Sequence, residues 1–190
     1  MAGRRPFFVQ RVRETHRDRK VEVWLQDESR VGQQGTLTHV WAQRGSRPQR
    51  IRQTAYKWGY LFGAVNPQTG ASSALISPTV STALMSDHLR MICEEAGEDR
   101  HVVLVLDGAG WHHSKGLVVP KDMTLLFLPP YSPELNAIER LWAYLKSHYL
   151  SNRVYSDEAE IDAALREAWN ALDPERIKSV TRTAWIADLD

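Results

Sequence analysis

Residues 101–107, HVVLVLD, constrain the fold more than any other stretch. Five apolar residues stand in a row, Val102 to Leu106. Such a run fits a strand buried on both faces, which belongs in a parallel sheet covered by helices. Asp107 stands at the C-terminal end of this strand. Behind it, DGAGWHHSKG (107–116) reads as a loop in which Gly108 and Gly110 let the backbone turn.

Upstream, VEVWLQD (21–27) alternates, so Val21, Val23, Leu25 and Asp27 share one face of a strand that ends at Asp27. HVWAQR (39–44) reads as a second strand, Arg44 to Pro48 as a turn, and WGYLFGAV (58–65) as an aromatic-rich third. The turn Asn66–Gly70 leads into ASSALI, which can extend the sheet antiparallel. Residues 81–96 are predicted as a helix with Met85, Leu89 and Ile92 inward and Gly97 as its C-terminal cap. Residues 124–146 read as strand, rigid turn and helix. TLLFL is a buried strand, Ser132 caps and Pro133 opens the helix, and Leu135, Ile138, Leu141, Trp142, Leu145 and Tyr149 form its apolar stripe. Further helices are expected over 157–172, capped by Ser156 or Asp157, and from Asp173-Pro174 onward. The fold class is α/β, a mixed central sheet with helices on both faces. A right-handed crossover puts the Asp107 strand beside the Asp27 strand, with their ends about 5 Å apart.

At 190 residues the chain holds one domain: a basic tail or linker over 1–19, with room for a short helix, and a catalytic body over 20–190. No apolar run is long enough to span a membrane or serve as a signal peptide, and Cys93 is the only cysteine. That excludes an intrachain disulfide or a cysteine zinc cluster and fits the cytosol. Net charge is only +1, but it is unevenly spread. Residues 1–20 carry seven Lys/Arg against two acids. Residues 44–57 carry Arg44, Arg47, Arg50, Arg52 and Lys57 with no acid, and 157–175 carry seven acids against Arg166. Basic runs opposite an acidic helix suggest a polyanion-binding face.

Three acids stand out: Asp27 and Asp107 at strand ends, and Glu139 on the shoulder of a helix stripe. Gathered carboxylates repel one another unless a cation or proton intervenes. Hard oxygen ligands suit Mg²⁺ or Mn²⁺, and two such ions about 4 Å apart can drive in-line phosphodiester chemistry.

The residues around these acids carry a resemblance. YSPELNAIERLWAYLK is similar to the third-carboxylate motif of the bacterial insertion-sequence branch of mariner-like DDE transposases, L-P-x-Y-S-P-x-L-N-P-I-E-x-x-W, with Ala137 where the family has proline. QDES followed by VWAQRGSRP resembles its first motif, and VLVLDGAGWHHS its second, D-N-x-x-x-H, with Gly108 in place of asparagine. The resemblance implies an RNase H-like fold. It also implies metal-dependent cleavage at transposon ends and strand transfer to target DNA, usually at a TA dinucleotide. In that scheme Asp27 bridges two ions, and Asp107 and Glu139 each hold mainly one. Glu28 and Asn136 take secondary parts, with Glu28 salt-bridged to an arginine. Arg44, Arg47, Arg50, Arg52, Lys57, Trp111, His112 and Lys146 are the expected DNA contacts. Trp111 would stack on an unpaired base, and His112 would meet a phosphate or the attacking water, or else hydrogen-bond to backbone. Five other tryptophans, Trp24, Trp41, Trp58, Trp142 and Trp169, fit core or sheet positions. Expected partners are double-stranded DNA, a second copy in a homodimer, and a separate or frameshift-fused helix-turn-helix part, which 19 residues cannot hold. The rival functions are an RNase H-like nuclease or resolvase, and a domesticated DNA-binding protein.

Overall fold

The computed structural model describes residues 4–34, 41–46, 53, 55–129, 132 and 135–187; the side chains of residues 4–6, Trp111 and His113 fall outside that description. Five strands form one sheet: β1 (Lys20–Gly32), β2 (Trp58–Val65), β3 (Ser72–Ser77), β4 (Arg100–Leu106) and β5 (Met123–Phe127), in the order β3-β2-β1-β4-β5. β1, β2 and β3 pair antiparallel, whereas β1 with β4 and β4 with β5 are parallel. The sheet is therefore mixed, and β4, apolar from Val102 to Leu106, is flanked on both sides as its sequence requires.

Alternation along β1 divides the core. Val21, Val23, Leu25 and Val31 face one side, with Val103 and Val105 of β4. Trp24 faces the other, with Phe62, Leu104 and Leu106. The second face is covered by α2 (Thr82–Ala96), through Met85, Leu89 and Ile92. Ser81 caps α2 by accepting from Leu84 N, and Gly97 (φ +96°) closes it, its N–H donating to Cys93 O. The first face is covered by α1 (Arg4–Thr15), α3 (Ile138–Leu145), α4 (Glu158–Asn170), α5 (Pro174–Thr181) and α6 (Ala184–Ala187). Asp157 and Asp173 cap α4 and α5. Among the described residues no helix is long and apolar enough to cross a membrane.

Several expectations need correcting. The N-terminal stretch is helical and docked: Val9 and Val12 are buried, and His16 stacks on His101 at 3.7 Å. Residues 41–46 contain a turn, closed by Ser46 N to Gln43 O with Gly45 at φ +87°, and residues 41–43 are not strand. Among the described residues no ladder partner is present for them, and β1 pairs with β2 up to Gly32↔Trp58. Trp41, read as a sheet residue, is fully exposed. β5 is an edge strand with Phe127 exposed, not a strand buried on both faces.

The helix after β5 starts later than its sequence suggests. α3 begins at Ile138 with Ala137 as its cap. Ser132 accepts one backbone bond, from Leu135 N, and Pro133 lies outside the described residues. The delay has a long-range cause. Asn136 is buried and donates Nδ2 to Gln26 O at 2.8 Å, which fastens this approach to β1 before the helix can start. From there the predicted stripe holds: Ile138, Leu141, Trp142 and Leu145 are buried. Each such side chain contributes about 1.5–3 kcal/mol.

Candidate active site

Asp27 lies within β1, not at its end. The strand continues to Gly32 because β2 pairs with it throughout, from Leu25↔Val65 to Gly32↔Trp58. What stops is the parallel partner: the last β1–β4 pair is Leu25↔Val105. Carrying that register two residues onward sets Asp27 beside Asp107, just where β4 leaves the sheet. By alternation both belong to the α3 side.

α3 closes over Asp27. Trp142 Nε1 donates to Asp27 Oδ2 at 2.8 Å. The indole can reach it because Gly63, directly opposite Asp27 on β2, has no side chain. A Cβ there would overlap the Trp142 ring and come within 2.9 Å of Trp169. Trp142 was expected as a core residue, and it is buried while also holding Asp27. Glu139 itself is exposed and is the second residue of α3, in its first turn. The helix dipole therefore acts on Glu139, contrary to the expectation of a position one and a half turns in.

The electrostatics mark this spot. Burial, then the charge of Glu139, push the Asp27 carboxyl up from 3.8 to about 7, against the lowering effect of the Trp142 hydrogen bond; Glu28 adds a smaller upward push. A negative cluster lacking a compensating charge is what a cation relieves.

Asp107 is held differently. Its side chain is 56% exposed, and Oδ1 accepts from Ala109 N at 2.9 Å. His112, in the single turn of 3₁₀ helix Gly110–His113, puts Nδ1 3.0 Å from both Asp107 O and Asp107 Oδ1. Its Nε2 lies 3.2 Å from Glu28 Oε1. Burial would lower the His112 pKa, but the hydrogen bond and charge of Glu28, then those of Asp107, outweigh it and raise it. The backbone hydrogen bond weighed for His112 is present, to Asp107 O. Glu28, expected to pair with an arginine, is held by His112 and by Gln26 Nε2 at 3.0 Å.

The residues fit a hard divalent cation in chemistry. Asp27 and Glu139 supply oxygen ligands, and the buried Asn136 Oδ1 has no hydrogen-bond partner. The gathering is incomplete: among the described residues no three acid, histidine or cysteine side chains converge as a metal site. Asp107 is bound to its own loop instead of joining the pair.

Of the expected DNA contacts, Arg44 and Lys57 are exposed. Lys146, half-buried at the start of the π-turn Lys146–Leu150, lines a hollow with Arg30 and Trp58. Arg47, Arg50, Arg52 and the Trp111 side chain lie outside the described residues. The exposed Trp41, three residues before Arg44, escaped the sequence reading because an aromatic beside valine scores as strand.

A family model described as DDE superfamily endonuclease matches residues 22–162. The chain belongs to this DDE endonuclease family. A relative in Sinorhizobium fredii (strain NBRC 101917 / NGR234), the uncharacterized protein y4pE/y4sA, is 42% identical over 130 residues, covering 67% of this chain and 96% of the relative. The Insertion element IS630 uncharacterized 39 kDa protein of Shigella sonnei is 23% identical over 86% of this chain and 53% of its own length. Among solved structures, the catalytic domain of Mos1 mariner transposase matches with TM-score 0.60 at 15% identity, covering 96% of this chain and 88% of that one. This DDE endonuclease chain thus has the RNase H-like fold, and it spans about half the length of the insertion-element protein.

Proposed function

We propose that the chain is the catalytic domain of a DNA transposase. It cuts phosphodiester bonds at the ends of an element and joins the freed 3′-hydroxyls to target DNA. The observation that carries this reading is Asp27. A half-buried carboxylate stands on the central strand, held by Trp142, raised by burial and the charge of Glu139, and in register with Asp107 on the neighbouring strand. Asp27, Asp107 and Glu139 are the residues that would hold Mg²⁺ or Mn²⁺, two ions in this reading. Bound there, the ions would supply the charge that activates an attacking hydroxyl and stabilises the leaving oxygen. The chain's own part is to orient. Trp142 fixes the Asp27 carboxylate, Asn136 anchors the approach to α3, and the Ala109 N–H holds Asp107.

The test is a nick-and-join assay on labelled element ends with Mg²⁺. Metal-dependent nicking followed by joining is expected, and strand transfer persisting in excess EDTA would sink the proposal. Nicking without joining would favour a plain RNase H-like nuclease. A homodimer on DNA belongs to the same proposal, as does a helix-turn-helix part, for which the share of the insertion-element protein that the chain does not cover leaves room.

DNA contact should be salt-sensitive and nearly sequence-blind, since phosphate contacts carry affinity but no base information. Lys57 O accepts from Gln33 N, so Lys57 sits at the end of β1 beyond Asp27. Lys20, at the start of the same strand, is roughly 20 Å from Asp27. Replacing Arg44 and Lys57 by alanine should therefore lower the salt slope by about two in a gel titration, uniformly across unrelated duplexes. A strong sequence preference retained at high salt would contradict this.

A further inference from the structure

We infer that Glu28 is a positioning residue for cleavage, acting through His112 to set the loop that carries Asp107. The inference rests on the reading of Asp107 as part of the catalytic set.

Glu28 follows Asp27 and so points to the other face of the sheet, away from Trp142 and Glu139. It is not a solvated surface acid there: its side chain is 9% exposed and that of His112 is 1% exposed. The contacts form a continuous line. Gln26 Nε2 donates to Glu28 Oε1, His112 Nε2 meets the same oxygen, and His112 Nδ1 meets both the carbonyl and the carboxylate of Asp107. Every partner of the imidazole in that line is an oxygen, two of them on Asp107 and one on Glu28. The backbone of the Asp107 loop is thereby tied to the interior of β1, 79 residues earlier in sequence. Gln26 is the common anchor. Its side chain grips Glu28, while its carbonyl takes Asn136 Nδ2 from the segment leading to Glu139. One tripeptide, Gln26-Asp27-Glu28, thus touches both other acidic motifs and supplies the central carboxylate itself.

A second acid that merely bound metal, or a buried ion pair that merely stabilised the fold, would behave differently from such a strut. The experiment uses the whole chain with Mn²⁺ as the probe. Binding is followed by calorimetric titration, cleavage under single turnover, and duplex KM separately. Glu28→Ala and His112→Ala should each lower Mn²⁺ affinity and the cleavage rate about ten- to hundredfold, the usual cost of removing a residue that orients a ligand. Duplex KM should stay within about threefold. The double variant should be no worse than either single one, because both act through one contact. Glu28→Gln, isosteric and still able to present an acceptor, should recover part of the loss and guards against unfolding. Nitrogen NMR of His112 should change in Glu28→Ala, together with the Ala109 amide. Additive losses in the double variant would make Glu28 a ligand in its own right. A raised KM with an unchanged rate would make His112 a DNA contact. Unchanged binding and rate would reduce the pair to a structural one. Should the wild-type chain itself bind no Mn²⁺ and cleave nothing, the catalytic reading falls, and an Ala109 amide unmoved by Glu28→Ala would overturn the strut independently.

Discussion

Asp27→Asn should abolish cleavage and leave the metal-free chain more stable than the wild type at pH 8. The folded-state pKa of Asp27, about 7, lies above the ordinary 3.8. Its contribution to stability is therefore complete below pH 4 and is lost as pH rises through 7. Above that the buried charge costs up to about 4 kcal/mol, taking 1.36 kcal/mol per unit. Asparagine keeps an acceptor for Trp142 Nε1 and carries no charge, so the variant escapes the penalty. Melting curves at pH 4.5 and pH 8 should show the two proteins converging in acid and diverging in base. Mn²⁺ should raise the wild-type Tm most at pH 8 and barely move the variant. Below pH 7, Mn²⁺ binding to the wild type should release a proton. A wild type more stable than the variant at pH 8 without metal would mean that Asp27 has a positive partner inside the fold.

The parts of this molecule legible in sequence are those governed by short periods. The Val102–Leu106 run announced a strand buried on both faces, and alternation over 21–27 put Asp27 on the α3 side. Asp157, Asp173 and the two glycines Gly70 and Gly97 marked turns and caps where they occur. What stayed hidden depends on contacts between distant residues. The start of α3 looked settled by Ser132 and Pro133, because local capping rules weigh only neighbours. The bond from Asn136 to Gln26, 110 residues away, moved it to Ile138. Likewise Trp142 reads as apolar stripe in any helical wheel. Only the vacancy at Gly63, set by β1–β2 register, lets its N–H reach a carboxylate. The contact between His112 and Glu28 stayed hidden for a related reason: chain topology delivers the histidine from the β4 exit loop, 84 residues away.

Glu139→Gln should stop both cleavage and joining with little change in stability. Two small effects oppose one another in the fold. Glu139 sits in the first turn of α3, where its charge gains about 0.3–1 kcal/mol from the helix dipole. The same charge is the second largest cause of the raised Asp27 pKa, after burial. Removing it gives up the first and relieves the second, so Tm should move little at pH 8. The pH at which the apo chain loses the Asp27 contribution should shift downward, toward the ordinary carboxylate range. That shift is a readout independent of DNA and metal, and a merely solvated helix glutamate would not produce it. Glu134, five residues earlier and outside the described residues, is the control. Glu134→Gln should cost a few tenths of a kcal/mol at most and leave cleavage within a few-fold. Were Glu134→Gln the inactive variant and Glu139→Gln the active one, the third acid of the site would belong to the approach before α3, and the charge felt by Asp27 would have no catalytic meaning.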